Sequence, residues 1–329
     1  KVDLITECNS DLTVVNAARC SFDKVSDFDY ECVNEGHLHN LLYPCNECKP
    51  VLKNADVKLI NYLATHQHWT PFGHAQEVFD ITMDDCEAIE FLCSANLSGF
   101  EWVYTRPEVE TTRLQIRGSL YAWLTNVKYL PVDMQGSLLN YLASRYPYST
   151  GALYNTNLPY NLPSSRITSI MSAIPELVSY TLRIHCPIFV KRQLETHRRN
   201  FVMTDIEDFS QNEVSRRYVD KEPEIWYAKQ WRLQSNDKKQ GSSESCLEGI
   251  NKMLANSNYF HAVHMALSTY EKMNDDRVAH ELSRACLPLA TYTTFWWTGS
   301  LKSWQRMFSL RLEEHAQAET RQIAQMCYD

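Results

Sequence analysis

The residues most able to do chemistry in this chain of 329 are crowded between Gln193 and Tyr218. His197, Arg198 and Arg199 form one run, and Ser210-Gln211-Asn212-Glu213-Val214-Ser215-Arg216-Arg217-Tyr218 forms another. Guanidinium forks and hydroxyls at that density are poor material for an apolar core, and they match phosphate oxygens in charge and geometry. The plainer reading is a solvated basic helix face followed by a loop. The chain as a whole carries a formal charge of −8. That argues against sequence-independent nucleic-acid binding, which needs a basic surface. An acidic protein that focuses its cations in one cleft is suited instead to a phosphorylated small molecule.

Composition narrows the class further. At 44% hydrophobic residues the chain has enough apolar material for one large core or two modest ones. No apolar run reaches the ~18 residues of a membrane span. The opening Lys1-Val2-Asp3-Leu4-Ile5 lacks the basic, apolar and cleavage segments of a signal peptide. Eleven cysteines, an odd number, read as reduced thiols and point to the cytoplasm. Among them, Cys32, Cys45 and Cys48, with His37 and His39 nearby, have structural-zinc spacing. Cys32, His37, Cys45 and Cys48 are therefore zinc candidates, against the alternative of reduced cysteines in a loop.

The elements that must position these residues are legible in part. A strand is expected at Val2–Thr6 and a helix around Leu12–Cys20, followed by a long polar loop over 23–55. Asp56 is placed to cap a helix over Val57–His66, and Pro71 and Gly73 make His68–His74 a turn. Residues 84–176 mix short apolar pieces with turn-formers and give no clear period. Within them Arg117-Gly118-Ser119-Leu120-Tyr121-Ala122-Trp123 echoes Thr298-Gly299-Ser300-Leu301-Lys302-Ser303-Trp304, too short a match to establish a repeat. Val178–His185 alternates as a strand, and Pro187 suits the first turn of a helix through Thr196. A polar loop over 233–246 precedes helices at about 250–273, 275–287, 301–309 and 311–326, with Thr291–Thr298 extended between them. The class is α+β or mixed α/β, with helices in the majority.

Taken in order, seven blocks carry a resemblance. They are Ala17-Ala18-Arg19-Cys20-Ser21-Phe22; His68-x-Thr70-Pro71-Phe72-x-His74; Pro187-Ile188-Phe189-Val190-x-Arg192-Gln193; His197-Arg198; Asn212 through Tyr218; Arg284-x-x-Leu287-Pro288-Leu289; and Leu310-Arg311-Leu312-x-x-His315-Ala316-Gln317-x-Glu319. The series resembles the flavin-dependent thymidylate synthases, and wording such as Trp297-Thr298-Gly299-Ser300-Leu301 looks like a bacterial and phage-associated branch. The resemblance implies the thymidylate synthase-complementing protein fold, with a central, mainly antiparallel sheet, flanking helices and a helix-rich C-terminal half. It implies a single domain over 1–329, interrupted by insertions at about 25–54 and about 84–176. It also implies a cytoplasmic enzyme that binds FAD, reduces it with NADPH, and moves a one-carbon unit from methylenetetrahydrofolate to C5 of dUMP, giving dTMP. A homotetramer with shared active sites is expected, without membrane or nucleic-acid partners.

By the same resemblance Arg311 is the catalytic residue. Uracil C5 is a weak carbon nucleophile, and a permanently cationic guanidinium can stabilise the N3-deprotonated ring in place of a thiolate adduct. The nucleotide is assigned to Gln193, Glu213, Ser215, Arg216, Arg217, Arg284 and Arg311. The flavin is assigned to Ser21, His68, Thr70, Thr196, His197, Arg198, Asn212, Glu213, Ser300, Lys302 and Arg306. His74 and His315 read as structural histidines. The chain departs from the family in four ways. Thr196 replaces the first arginine of the Arg-His-Arg triplet. The spacer before Ser215 is doubled, with Asn200–Phe209 as the extra segment. Ser300, Lys302 and Arg306 stand where common members carry Asn, Arg and Asn. The fourth departure is the two insertions. Local changes at the pyrimidine edge leave open dCMP as substrate, a hydroxymethyl product, or a non-catalytic nucleotide-binding relative.

Overall fold

The structure, a computed structural model, describes residues 1–5, 9–32, 48–95, 100–105, 111–154, 163–197, 210–219, 221–235 and 241–329. The chain opens with β1 (Val2–Ile5), α1 (Asp11–Cys20), a hairpin of β2 (Asp29–Cys32) and β3 (Cys48–Val51), and α2 (Asn54–Thr65). A 3-10 turn over Thr70–His74 leads into β4 (Gln76–Asp84), α3 (Asp85–Ser94), β5 (Phe100–Thr105) and β6 (Thr111–Ser119). Then come α4 (Leu120–Asn126), α5 (Val132–Arg145), α6 (Pro147–Leu153) and the short β7 (Ile167–Ser169). The second half holds β8 (Ser179–Pro187), α7 (Ile188–Leu194), β9 (Ser210–Glu213), a hairpin of β10 (Arg232–Gln234) and β11 (Ser242–Cys246), and the long α8 (Gly249–Asp275). It closes with α9 (His280–Ser283), β12 (Tyr292–Ser300), α10 (Leu301–Arg311) and α11 (Ala318–Tyr328). The fold is mixed α/β, with antiparallel sheets and a helix-rich C-terminal half, as expected.

Two four-stranded sheets carry the architecture. One is ordered β7-β4-β6-β5 and the other β1-β8-β12-β9, and every pairing is antiparallel. Their central pairs share one register. Gln76 faces Ser119 and Asp84 faces Thr111 in the first; Ser179 faces Ser300 and Pro187 faces Tyr292 in the second. Each pair ends in a serine that caps the helix after it. Ser119 Oγ accepts from Ala122 N at 3.1 Å, and Ser300 Oγ accepts from Ser303 N at 3.0 Å. The indole of Trp123 then donates to Glu77 O at 3.2 Å, and that of Trp304 donates to Tyr180 O at 3.3 Å. Glu77 and Tyr180 sit opposite Gly118 and Gly299 respectively. The seven-residue echo in the sequence is thus a repeated strand-to-helix corner. Glycine is required at 118, because an added Cβ would come within 2.5 Å of the Phe100 ring and 2.8 Å of Trp123 Nε1.

The larger core belongs to the first sheet, where Phe79, Ile81, Met83, Leu114 and Ile116 meet Trp123 and the buried face of α5 (Met134, Leu138, Leu139, Leu142). A smaller core lies between the second sheet and α7, α10 and α11, built on Ile184, Val190, Leu194, Phe295, Trp297, Trp304 and Met307. The Thr70–His74 turn joins the two halves. The fully buried His74 imidazole contacts Thr298 Oγ1 at 2.7 Å through Nδ1 and Asn212 Oδ1 at 3.1 Å through Nε2. With Nε2 donating to the amide oxygen, Nδ1 accepts from the threonine hydroxyl, so the ring is neutral. Burial holds its pKa down at about 4. An added Cβ on the neighbouring Gly73 would collide with Ser210 Oγ, so this seam leaves no room for a side chain.

Several sequence expectations change. Residues 23–55 are not all loop, since β2 and β3 pair there, with Cys32 opposite Cys48. Asp56 does not cap its helix. α2 starts at Asn54, and the fully buried Asp56 carboxylate instead accepts from Arg19 Nε at 2.7 Å and Ser26 Oγ at 2.5 Å. The 233–246 stretch forms part of the β10–β11 hairpin. The expected 275–287 helix is interrupted because α8 ends at Asp275 and Arg277 adopts a φ of +58°, leaving only the short α9. The final helix starts at Ala318 rather than 311, since α10 extends through Arg311.

Candidate functional site

Arg311 is the last residue of α10, where the helix delivers it to the C-terminal end of α7. Its Nε donates to His197 Nε2 at 2.8 Å, and its Nη2 donates to Gln193 O and Thr196 Oγ1, both at 3.0 Å. Thr196 Oγ1 in turn donates to Gln193 O at 2.8 Å, so the turn after α7 is a compact acceptor set for one guanidinium. Nη1 makes no hydrogen bond among the described residues, leaving one edge of the fork for a ligand. Because Nε donates to it, His197 Nε2 must be unprotonated and the ring proton sits on Nδ1. Burial, then the charges of Arg311 and Arg306, push the His197 pKa down to about 4. The pair is therefore a cation against a neutral imidazole, and the positive charge stays on the arginine.

Gln193 sits one helical turn away with its side chain engaged. Its amide donates to Gln317 Oε1, and its Oε1 accepts from Thr320 Oγ1 at 3.2 Å. Gln317 donates to Glu319, which takes Arg232 Nη2 at 2.8 and 2.9 Å. This chain of bonds ties α7 to α11 and to the β10–β11 hairpin.

The strand β9 presents its residues to opposite faces of the sheet. Glu213, opposite Phe295, points to the α7 side. Its Oε1 accepts from Thr293 Oγ1 at 2.7 Å and its Oε2 lies 3.1 Å from Lys191 Nζ. Asn212, opposite Trp296, points the other way, to His74. Lys191 is the residue that sequence reasoning passed over, as the variable position between Val190 and Arg192. It is buried, pairs with both Glu195 and Glu213, and lies 5.3 Å over the Phe295 ring. The available signal was a lysine four residues before a glutamate on an otherwise apolar helix face. A buried ammonium held by two carboxylates fixes the direction of Glu213.

Beyond β9 the chain turns back over α1. Ser215 N donates to Ser21 O at 2.9 Å, and Phe22 stacks on Tyr218 with ring centres 4.6 Å apart. Arg217 is exposed, with its Nε 3.3 Å from Ser215 Oγ and its guanidinium 5.2 Å over the Tyr218 ring. Arg216 donates to Lys221 O. Ser215 and Arg217 are thus brought together with chemistry that suits a phosphate.

The remaining candidates are placed elsewhere. Arg284 is exposed beside α8, where its Nε donates to Glu281 O at 3.4 Å. Ser300 is fully buried as the α10 cap. Lys302 pairs with Glu176 in the connection between β7 and β8. His68 and Thr70 flank the turn that joins the halves, both exposed, and Arg306 is exposed on α10. Arg198, His37 and Cys45 lie outside the described residues. Those that are described include no group of three or more His, Cys, Asp or Glu able to hold a metal. For a flavin, the exposed Thr196, Thr70, His68 and Arg306 offer hydroxyls, imidazole and a cation of the kind a dinucleotide needs. The buried Ser300 and the Asn212 amide are already committed within the protein.

Burial pushes the thiols of Cys20, Cys186 and Cys327 up to about 12, so these cysteines near the second sheet are not thiolate nucleophiles. No helix of the described residues is long and apolar enough to cross a membrane.

Comparisons with known proteins agree with the residues. The family model described as thymidylate synthase complementing protein matches residues 162–329. A flavin-dependent thymidylate synthase of Aquifex aeolicus is 26% identical over 343 aligned positions, covering 96% of this chain and 92% of that one. Flavin-dependent thymidylate synthases of Treponema denticola (32% identical) and Pseudothermotoga lettingae (33%) match over 47% and 45% of this chain, and over 55% and 59% of their own lengths. Among solved structures, the UMP/dUMP methylase PolB from Streptomyces cacaoi bound with 5-Br dUMP aligns over 99% of this chain and 87% of its own, at 17% identity and a TM-score of 0.40. With its family model spanning more than half of the sequence and its site residues in the matching order, this chain belongs to the thymidylate synthase complementing protein family.

Proposed function

We propose that the protein is a flavin-dependent thymidylate synthase that converts dUMP to dTMP, using methylenetetrahydrofolate as carbon donor and NADPH as reductant. The observation that carries this reading is Arg311. It is held by three hydrogen bonds to the end of α7, kept cationic beside a neutral His197, and left with one edge of its fork unspent among the described residues. Such a group can take the developing negative charge of an N3-deprotonated pyrimidine. A thiolate adduct is unnecessary in this scheme, which fits the high pKa of Cys20, Cys186 and Cys327. Ser215 and Arg217 supply the phosphate contacts, and Lys191 keeps Glu213 aimed at the nucleotide side of the sheet. FAD, when bound, supplies the hydride that reduces the transferred methylene, and Thr196, His197, Arg198 and Arg306 would hold it.

We also propose a cytoplasmic homo-oligomer, a tetramer by the resemblance. The exposed Ile250, Met253, Leu254, Phe260 and Met265 along α8 support association, because that much apolar side chain on one helix is seldom left in water. Light scattering after gel filtration gives the copy number. The activity is tested by tritium release from C5-labelled dUMP in the presence of folate, NADPH and FAD. Release from dUMP supports the reading. Release from dCMP alone would replace the substrate, and nucleotide binding with no release and no NADPH oxidation would make the chain a non-catalytic relative.

A further inference from the structure

We infer that residues 76–126 and 179–311 are two copies of one β-α-β-β-α unit, of which only the second binds the nucleotide, so that each chain carries one anion site. The identity of the ligand rests on the proposed function; the equivalence of the units does not. Each unit runs through a nine-residue strand, a helix that begins directly after it, an edge strand, a second nine-residue strand and a capped helix, and in the second unit the β10–β11 hairpin, α8 and α9 are inserted between the edge strand and the second long strand. The central strands pair in the same register, and the same corner serine, glycine and tryptophan close both units. The outer neighbours match as well. β7 pairs with β4 as β1 pairs with β8, and β5 pairs with β6 as β9 pairs with β12. Convergence on a sheet is common, but convergence on register, cap and indole bond together is not an economical explanation.

The shared register assigns each site residue a counterpart. Asp84 stands for Pro187, so along the following helices Ala88 stands for Lys191 and Glu90 for Gln193, and by count Ser94, the last residue of α3, falls where His197 follows the end of α7. Past the capping serines, Tyr121 stands for Lys302 and Thr125 for Arg306, and by count Leu130 falls where Arg311 does, although α4 ends at Asn126 and a 3-10 turn carries the chain on to Leu130. On the edge strands, Glu101 faces Arg117 as Ser210 faces Thr298, which puts Val103 and Tyr104 in the places of Asn212 and Glu213. At the places of Lys191, Lys302, Arg306 and Arg311 the first unit carries no cation. Its first helix carries Asp85, Glu87 and Glu90 instead; Glu87 is paired with Arg166, and the net negative charge left by the other two disfavours a nucleotide dianion. Leu130, in the place of Arg311, is 3% exposed and belongs to the core.

Equilibrium dialysis of the flavin-loaded protein against dUMP decides the site count. One nucleotide per chain is expected, with affinity unchanged by Glu90→Gln or Thr125→Ala. Two nucleotides per chain, or a tenfold loss of affinity from either substitution, would overturn the inference. If no dUMP binds at all, the proposed function fails and the unit equivalence is judged separately by Ser119→Ala and Ser300→Ala. Equivalent corners predict matched falls of ~2–4 °C in the unfolding midpoint. A fall in one variant with no change in the other would sink it.

Discussion

The two sheets of this protein have the same strand order and register, yet they have divided the work. In the first, the space beside the corner helix is filled: Trp123 is 1% exposed, Phe79 and Phe100 pack edge-on against it at 5.0 and 4.7 Å, and α5 closes over the face. In the second, the equivalent helix ends in Arg311, which is held by the polar Gln193, Thr196 and His197 and keeps part of its fork unspent among the described residues. A common backbone therefore does not dictate a common role. What decides it is whether the positions at the helix ends carry apolar groups, which collapse together, or guanidinium and imidazole groups, which bond to one another and keep hydrogen-bonding capacity for a ligand.

The largest expected effect breaks the filled unit. Trp123→Ala removes a fully buried indole and its bond to Glu77 O, at a cost of about 3–5 kcal/mol. Chemical denaturation should show that loss, while the fraction still folded keeps its nucleotide affinity. An equal loss of affinity would mean the first unit reaches into the site directly. Next comes Arg311→Ala, expected to slow tritium release by roughly 10²–10³-fold with little change in stability, the usual cost of losing one charge-stabilising donor. Arg311→Lys should not restore it, because a point charge cannot keep both the His197 and Thr196 contacts. Leu130→Ala, at the matching place, should lower stability and leave the turnover of folded enzyme alone.

The seam between the units gives the third prediction. His74 has a folded-state pKa of about 4 because it is buried, against about 6.5 in the unfolded chain. The unfolded state then binds more protons between those values, so stability falls as pH drops from about 6.5 towards 4. The shift is worth about 3 kcal/mol at most. His74→Gln should flatten that part of the stability–pH curve. An unchanged curve would place the acid sensitivity in another group.

Legibility in the sequence followed the same division. The second unit was readable because its site residues are polar, closely spaced and in family order, and its helices have ordinary apolar faces. Two details escaped even there. Lys191 hid at a variable position, and the Arg311–His197 contact joins residues 114 apart in sequence. The first unit was opaque because polar residues interrupt its period. In β4 the apolar Phe79, Ile81 and Met83 alternate properly, but Glu77 and Asp80 are buried among them. Glu77 is satisfied by Tyr141, Tyr146 and Arg145, and Asp80 by Arg113. None of these partners is adjacent in sequence, so no local pattern reveals them. The one usable signal was the corner echo of Arg117–Trp123 with Thr298–Trp304. It was short because only the glycine, serine, leucine and tryptophan of a corner are fixed by its geometry.

The smallest expected effect tests a second link across the seam. Glu176, in the connection between β7 and β8, takes Lys302 of the second unit, while its backbone carbonyl accepts Arg117 Nε of the first at 3.2 Å. The Lys302 hydrogen bond lowers the Glu176 pKa, so this pair stabilises the fold above the usual carboxylate range and fades as pH falls through the lowered value. Both side chains are partly in water, at 44% and 26% exposure, which limits the pair to under about 1 kcal/mol and makes it sensitive to salt. Glu176→Gln should therefore cost little at neutral pH, and less in high salt, because it removes the ion pair but keeps the carbonyl that Arg117 uses. Placed beside His74→Gln, it separates the two links by their environment. The buried one should respond to pH and ignore salt, and the exposed one should respond to salt. A large, salt-independent loss from Glu176→Gln would mean that the connection, rather than the Thr70–His74 turn, is what holds the two units together.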